Sequence, residues 1–152
     1  MAKKRLRKEF LDISQNPPPG ISAGPIDDEM LKWNGMISAP DGSPYAGGVF
    51  FVEIQCPSDY PWRSPKVHFT TQIYHPNINK QGEICIHHLP MRPRAWTPAC
   101  TIAKLLMGIA GLLADPNTEC RFNAEASHLY RFDRQRYNET AAEFTLVNKD
   151  VI

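Results

Sequence analysis

The chain has 152 residues, the size of one domain, and 14 of them are proline, nearly twice the usual share of roughly 5%. Prolines at that density exclude a plain helical bundle, because the ring clashes inside a helix and removes a hydrogen-bond donor. Apolar and aromatic residues make up 42% and charged residues 22%, enough for a core, and 17 basic against 16 acidic residues leave no global field that selects nucleic acid or an anionic membrane.

Leu6, Phe10 and Ile13 recur at helical spacing, with Lys4, Arg5 and Lys8 largely off that stripe. This predicts an amphipathic helix over residues 2–15 with a basic outer face. Pro17-Pro18-Pro19-Gly20 ends it. Short strands are predicted at 32–37, 49–54 and 66–69, and Ser22-Ala23-Gly24-Pro25 precedes or overlaps a first edge strand. Pro40-Asp41-Gly42-Ser43-Pro44 is turn chemistry between two of them. Residues 70–100 have no clear periodicity, and so long an irregular stretch inside a compact domain is functional or disordered. Thr101 then caps a helix whose Ile102, Leu105, Leu106, Ile109, Leu112 and Leu113 ring most of its circumference, the pattern of a central buried helix. Asp115-Pro116-Asn117 ends that helix. Two more helices are predicted at 124–130 and 133–147, the last anchored by Tyr137, Phe144 and Leu146. The longest uncharged apolar stretch, Leu105 to Ala114, falls far short of the ~20 residues that span a bilayer. Strands grouped together with helices at both ends indicate an α+β fold, expected as a single domain over residues 1–152.

The four cysteines are Cys56, Cys85, Cys100 and Cys120; no Cys-x-x-Cys pair occurs, so a zinc ribbon is not expected. The basic first residues lead into no apolar secretory stretch, which favours free thiols in a reducing compartment. Within the irregular segment, Tyr74-His75-Pro76-Asn77-Ile78 is followed by Cys85, with His87 and His88 close behind. A thiolate is a strong nucleophile, and an asparagine amide can donate to a developing oxyanion. Chemistry alone leaves two readings: a Cys/His/Asn hydrolase, and a thioester carrier that passes an acyl group on. Beside them stands the plain alternative, Cys85 as a packed core residue.

His75-Pro76-Asn77, then Cys85, then Trp96-Thr97-Pro98-Ala99, resembles the ubiquitin-conjugating enzymes, closest to their Ubc4/Ubc5-type branch. Ser22-Ala23-Gly24-Pro25, the run from Ser43 to Phe50, Asp59-Tyr60-Pro61-Trp62, Pro65-Lys66-Val67 and Asp115-Pro116-Asn117 extend the likeness almost end to end. The resemblance implies the UBC fold, a four-stranded antiparallel meander with an N-terminal helix and C-terminal helices. It also implies a reaction: Cys85 takes ubiquitin's C-terminus from an activating enzyme as a thioester, then delivers it to a lysine amine or a ligase cysteine. No metal or organic cofactor is implied, since ATP is used upstream by the activating enzyme.

By motif position, Asn77 steadies the oxyanion or holds the loop bearing Cys85, while His75 and Pro76 look structural. Asn117, Glu119, Cys120 and His87 surround the cysteine. Lys4, Arg5 and Lys8 match the helix face offered to the activating enzyme; the alternative is an ordinary solvated face. Trp62, where the family usually has phenylalanine, forms with Pro98 and Ala99 the groove gripped by RING, HECT or RING-between-RING ligases; half-buried packing is the alternative. Ser22 matches a backside ubiquitin site or is a turn serine, and Lys104, Met107 and Gly111 share the face that would hold the linked ubiquitin. A monomer in cytoplasm or nucleus is expected, with neither nucleic acid nor membrane as partner.

Two departures stand out. Lysine-directed members carry an acid two residues after the cysteine and another five after the aspartate of Asp-Pro-Asn; here these positions hold His87 and Cys120. A lysine amine of pKa about 10.4 needs a carboxylate to orient and deprotonate it far more than a thiol of pKa about 8.5 does. Discharge to ligase cysteines is therefore expected to be favoured, with Glu119, beside Cys120, as a substitute acid after a small loop shift. The second departure is three extra residues between Cys85 and Trp96, within a segment carrying Arg92 and Arg94, which could touch ubiquitin or a ligase. Cys85, His87 and His88 lie too close in sequence to close a tetrahedral metal site readily. Cys120 also raises a redox pairing with Cys85 that would silence the nucleophile. The rival functions are an inactive ubiquitin-conjugating-like binding module and a carrier of another ubiquitin-like modifier.

Overall fold

The computed structural model describes residues 2–85 and 96–151. Helix α1 (Ala2–Gln15) leads into strands β1 (Ile21–Pro25), β2 (Lys32–Ser38), β3 (Val49–Gln55) and β4 (Lys66–Phe69), which pair antiparallel in the order β1-β2-β3-β4. Helices α2 (Ile102–Ala114), α3 (Ala124–Phe132) and α4 (Arg134–Val151) follow. The α+β expectation and its meander are borne out.

Period-two alternation sets which face of the sheet is dry. Trp33, Gly35 and Ile37 of β2 stand opposite Ile54, Val52 and Phe50 of β3, and all six positions are buried. Lys32, Asn34, Glu53 and Gln55 alternate with them and face water. Helix α2 lies on the dry face, where a Cβ on Gly35 would sit 2.8 Å from Val52 Cγ2 and 3.4 Å from Leu106 Cδ1. Glycine there lets helix and sheet close. Leu105 and Leu106, both fully buried, each contribute on the order of 1.5–3 kcal/mol relative to exposure. On α1, Leu6 and Ile13 are buried, and Phe10 meets Trp33 edge-to-face with centroids 6.0 Å apart.

Helix α2 is buried around most of its circumference, and Lys104, Met107 and Gly111 share an exposed face. Two expectations need correction. Helix α4 starts one residue later than expected, because Asp133 caps it through its carboxylate, which accepts from the Arg136 N–H. Leu146 is no anchor, being 60% exposed; Tyr137, Ala141 and Thr145 form the buried stripe at four-residue spacing, with Phe144 partly buried beside it.

Candidate active site

The irregular segment after β4 is shaped by short-range turn chemistry. The Asn79 side-chain oxygen accepts from Gln81 and Glu83 N–H, and Gly82 sits at φ +83. A Cβ on Gly82 would fall 1.9 Å from the Phe69 carbonyl oxygen, so only glycine lets this turn lie against β4. Bridges from Ile78 to Ile84 and from His68 to Glu83 complete the attachment. Cys85 emerges at the end, its N–H bonded to the Asn77 carbonyl at 2.8 Å.

His75, Pro76 and Asn77 are all buried, and each grips the helical half of the molecule. His75 Nδ1 accepts from the Asn77 N–H at 3.0 Å, so the proton sits on Nε2, which donates to the Leu112 carbonyl at the end of α2 (2.8 Å). Burial pushes its pKa down to about 4, against the opposing pull of the Leu112 hydrogen bond, so the ring is neutral at pH 7. The Pro76 carbonyl accepts from Asn123 N–H, and the Asn123 side chain caps α3. Asn77 reaches the connection between α2 and α3: Nδ2 donates to the carbonyls of Asn117 (2.8 Å) and Cys120 (3.0 Å), and Oδ1 accepts from Asn117 N–H (2.8 Å). Beneath, the buried Tyr45 hydroxyl donates to the Tyr74 carbonyl and pairs with the Tyr137 hydroxyl, fixing the start of this segment to α4. Tyr45 also stacks on the His75 ring.

Of the two roles expected for Asn77, holding the loop is the one this geometry performs. Both its amide hydrogens are engaged by backbone carbonyls, leaving none aimed at an oxyanion. Asn117 belongs to the same clamp, and its own Oδ1 turns the chain by accepting from Glu119 N–H at 3.0 Å. The Glu119 side chain is exposed.

The expectation of free thiols throughout is corrected. Cys85 and Cys120 are joined by a disulfide with Cα atoms 6.5 Å apart, whereas Cys56 and Cys100 are free. The pairing raised for Cys120 is the one present. Both bonded cysteines are nearly buried, at 4% and 7% exposed.

On the first helix, Lys4 and Lys8 are exposed, but Arg5 is not on the outer basic face. It pairs with Glu9 at 2.9 Å and donates to the carbonyls of Pro98 (2.7 Å) and Cys100 (2.9 Å). Glu9 also accepts from the Tyr60 hydroxyl (2.6 Å) and the Ile102 N–H (2.8 Å) at the start of α2. These buried partners were missed; the available signal was an acid on the same face as Leu6 and Ile13. Trp96 donates to the Pro61 carbonyl at 2.7 Å, bringing the loop of Trp62 to the segment of Pro98 and Ala99. Trp62 itself is 67% exposed, against the packing alternative. A groove of about 710 Å³ is lined by Trp62, Trp96, Ile84 and Phe122. Ser22 is exposed on β1. His87, His88, Arg92, Arg94 and the three extra residues lie outside the described residues.

An antiparallel meander flanked by helices, with a cysteine at the end of a clamped His-Pro-Asn loop, defines a UBC domain. The family profile for ubiquitin-conjugating enzymes matches residues 5–145, and the chain belongs to that family. Ubiquitin, an activating enzyme and ligases are thereby its general partners.

Proposed function

We propose that this chain is an active ubiquitin carrier of the Ubc4/Ubc5-type branch. In its reduced form Cys85 takes ubiquitin's C-terminus as a thioester and passes it preferentially to ligase cysteines. The observation that carries this reading is the clamp: Asn77 fixes Cys85 at the end of a turn, and the motif's own histidine is not free to act as a base. His75, the histidine of the motif, is buried and spends both nitrogens on backbone groups. A hydrolase needs such a base to activate water; a carrier must protect its thioester from water. The inactive-module alternative is disfavoured by the presence of the nucleophile in its motif.

The preference for cysteine acceptors is supported by the gate itself, where Cys120 stands against Cys85 in place of a carboxylate. Lys4 and Lys8 would meet the activating enzyme; Trp62, Pro98 and Ala99 the ligase; Lys104, Met107 and Gly111 the linked ubiquitin; and Ser22 a second, noncovalent ubiquitin. No cofactor is required in this chain, and cytoplasm and nucleus are its proposed setting. The test is charging of the reduced protein with activating enzyme, ATP and ubiquitin. A reductant-sensitive adduct is expected, absent in Cys85→Ala and replaced by a more stable ester in Cys85→Ser. Rapid discharge of the charged protein to free lysine, without ligase, would falsify the cysteine preference. Adduct formation only with a different modifier would reassign the cargo.

A further inference from the structure

Two of the four cysteines are free and lie outside the site; the two within it are bonded to each other. We propose that the Cys85–Cys120 pair is a reversible redox lock on the thioester site, closed by an oxidant of the hydroperoxide class and opened by a thiol reductant such as glutathione. The proposal rests on the reading of Cys85 as the ubiquitin acceptor.

The pair is pre-arranged by the clamp. Asn77 accepts the Cys85 N–H through its backbone carbonyl and donates to the Cys120 carbonyl through its side chain. One residue therefore sets both cysteine backbones, at a Cα separation of 6.5 Å, inside the roughly 4.4–6.8 Å that a disulfide spans. Neither cysteine lies within a helix or strand, so the bond forms and opens without unpacking an element. Cys56 is a poor competitor, because burial first and the Glu9 carboxylate second push its thiol up to about 12.

In closing, the Cys85 thiolate attacks the peroxide O–O bond, giving a sulfenic acid and releasing the alkoxide, which leaves as an alcohol after taking a proton. The Cys120 thiolate then attacks the sulfenic sulfur; the S–S bond forms, the S–O bond breaks, and hydroxide leaves as water with the proton Cys120 gave up. Two thiols are oxidised by two electrons and one hydroperoxide is reduced. In opening, two glutathione thiols exchange through a mixed disulfide and leave as oxidised glutathione. The closed pair offers no thiolate, so loading and locking exclude one another. Cys120 also traps the sulfenic acid before further oxidation.

The test uses the full chain, reduced and desalted, then exposed to stepped hydrogen peroxide that is afterwards removed by catalase. One portion is alkylated in denaturant and weighed; another is charged with activating enzyme, ATP and ubiquitin. Alkylation is expected to fall from four adducts to two, the free pair, with charging falling in step by about tenfold or more. Glutathione is expected to restore both. Cys120→Ser and Cys120→Ala, each measured against its own reduced charging level, are expected to lose charging to a sulfinic acid that no thiol restores. Persistence of four adducts at doses that abolish charging would overturn the lock, as would a bond that glutathione leaves closed. If the adduct number switches but the reduced chain never takes ubiquitin, the acceptor reading fails while the redox pair stands.

Discussion

Asn77 and Cys120 both hold or touch Cys85, and each makes a separable prediction. Replacing Asn77 by alanine strands two carbonyls and one N–H that its side chain now satisfies. A loss of about 3 kcal/mol follows from the usual cost of buried polar groups left unpaired. Urea unfolding of reduced Asn77→Ala is expected to show it; an unchanged midpoint would return the oxyanion role to this side chain. At Cys120 the question is proton transfer. Cys120→Asp places a carboxylate against Cys85, where on the proposed carrier reading it would hold an incoming lysine amine and accept its proton. Relative to Cys120→Ser, which equally lacks the disulfide, discharge to free lysine is expected to rise by about tenfold or more. Equal rates in the two variants would separate lysine reactivity from this position.

At the scale of elements, the periodic pieces were legible and the ties between them were not. Residues 2–15, 32–37, 49–54 and 66–69 were readable because a buried stripe or alternating face repeats over several turns or pleats. Nothing periodic marks Glu9, a carboxylate from α1 that serves the N-terminus of α2. That helix has no acid in its own first turn, so Glu9 supplies the negative charge its exposed N–H groups favour. Arg5 beside it holds the Pro98 and Cys100 carbonyls, which converts a supposed outer-face arginine into a brace for the segment before α2. Glu9→Ala leaves the Tyr60 hydroxyl and the Ile102 N–H without their acceptor and the half-buried Arg5 without its counter-charge. A loss of about 3–5 kcal/mol is expected, read by thermal or urea unfolding. Arg5→Ala is expected to keep charging by the activating enzyme while lowering ligase-stimulated discharge. Loss of charging alone would put Arg5 back among the activating-enzyme contacts.

Across the whole molecule, the His-Pro-Asn motif was visible as a motif, but its four anchor residues were not. Leu112, Asn123, Asn117 and Cys120 meet it from residues 37 to 47 positions away, through backbone groups that carry no side-chain signature. The disulfide was legible only as a possibility for the same reason: two cysteines 35 residues apart have no distance until the clamp supplies one. His75, deepest in that clamp, makes the global stability pH-dependent. Its pKa falls from an ordinary 6.5 to about 4, chiefly through burial, so between those values the unfolded chain binds a proton that the folded one refuses. The stability it contributes is complete above pH 6.5 and is lost progressively as pH falls through about 4. A shift of that size is worth about 3 kcal/mol. Urea midpoints measured from pH 7 down to pH 4 are expected to fall in the wild type. His75→Gln retains an amide donor for Leu112 but has nothing to titrate, so its own profile should be flatter by that amount. Parallel profiles for the two proteins would mean that acid acts on this fold through its carboxylates and not through the histidine under the active loop.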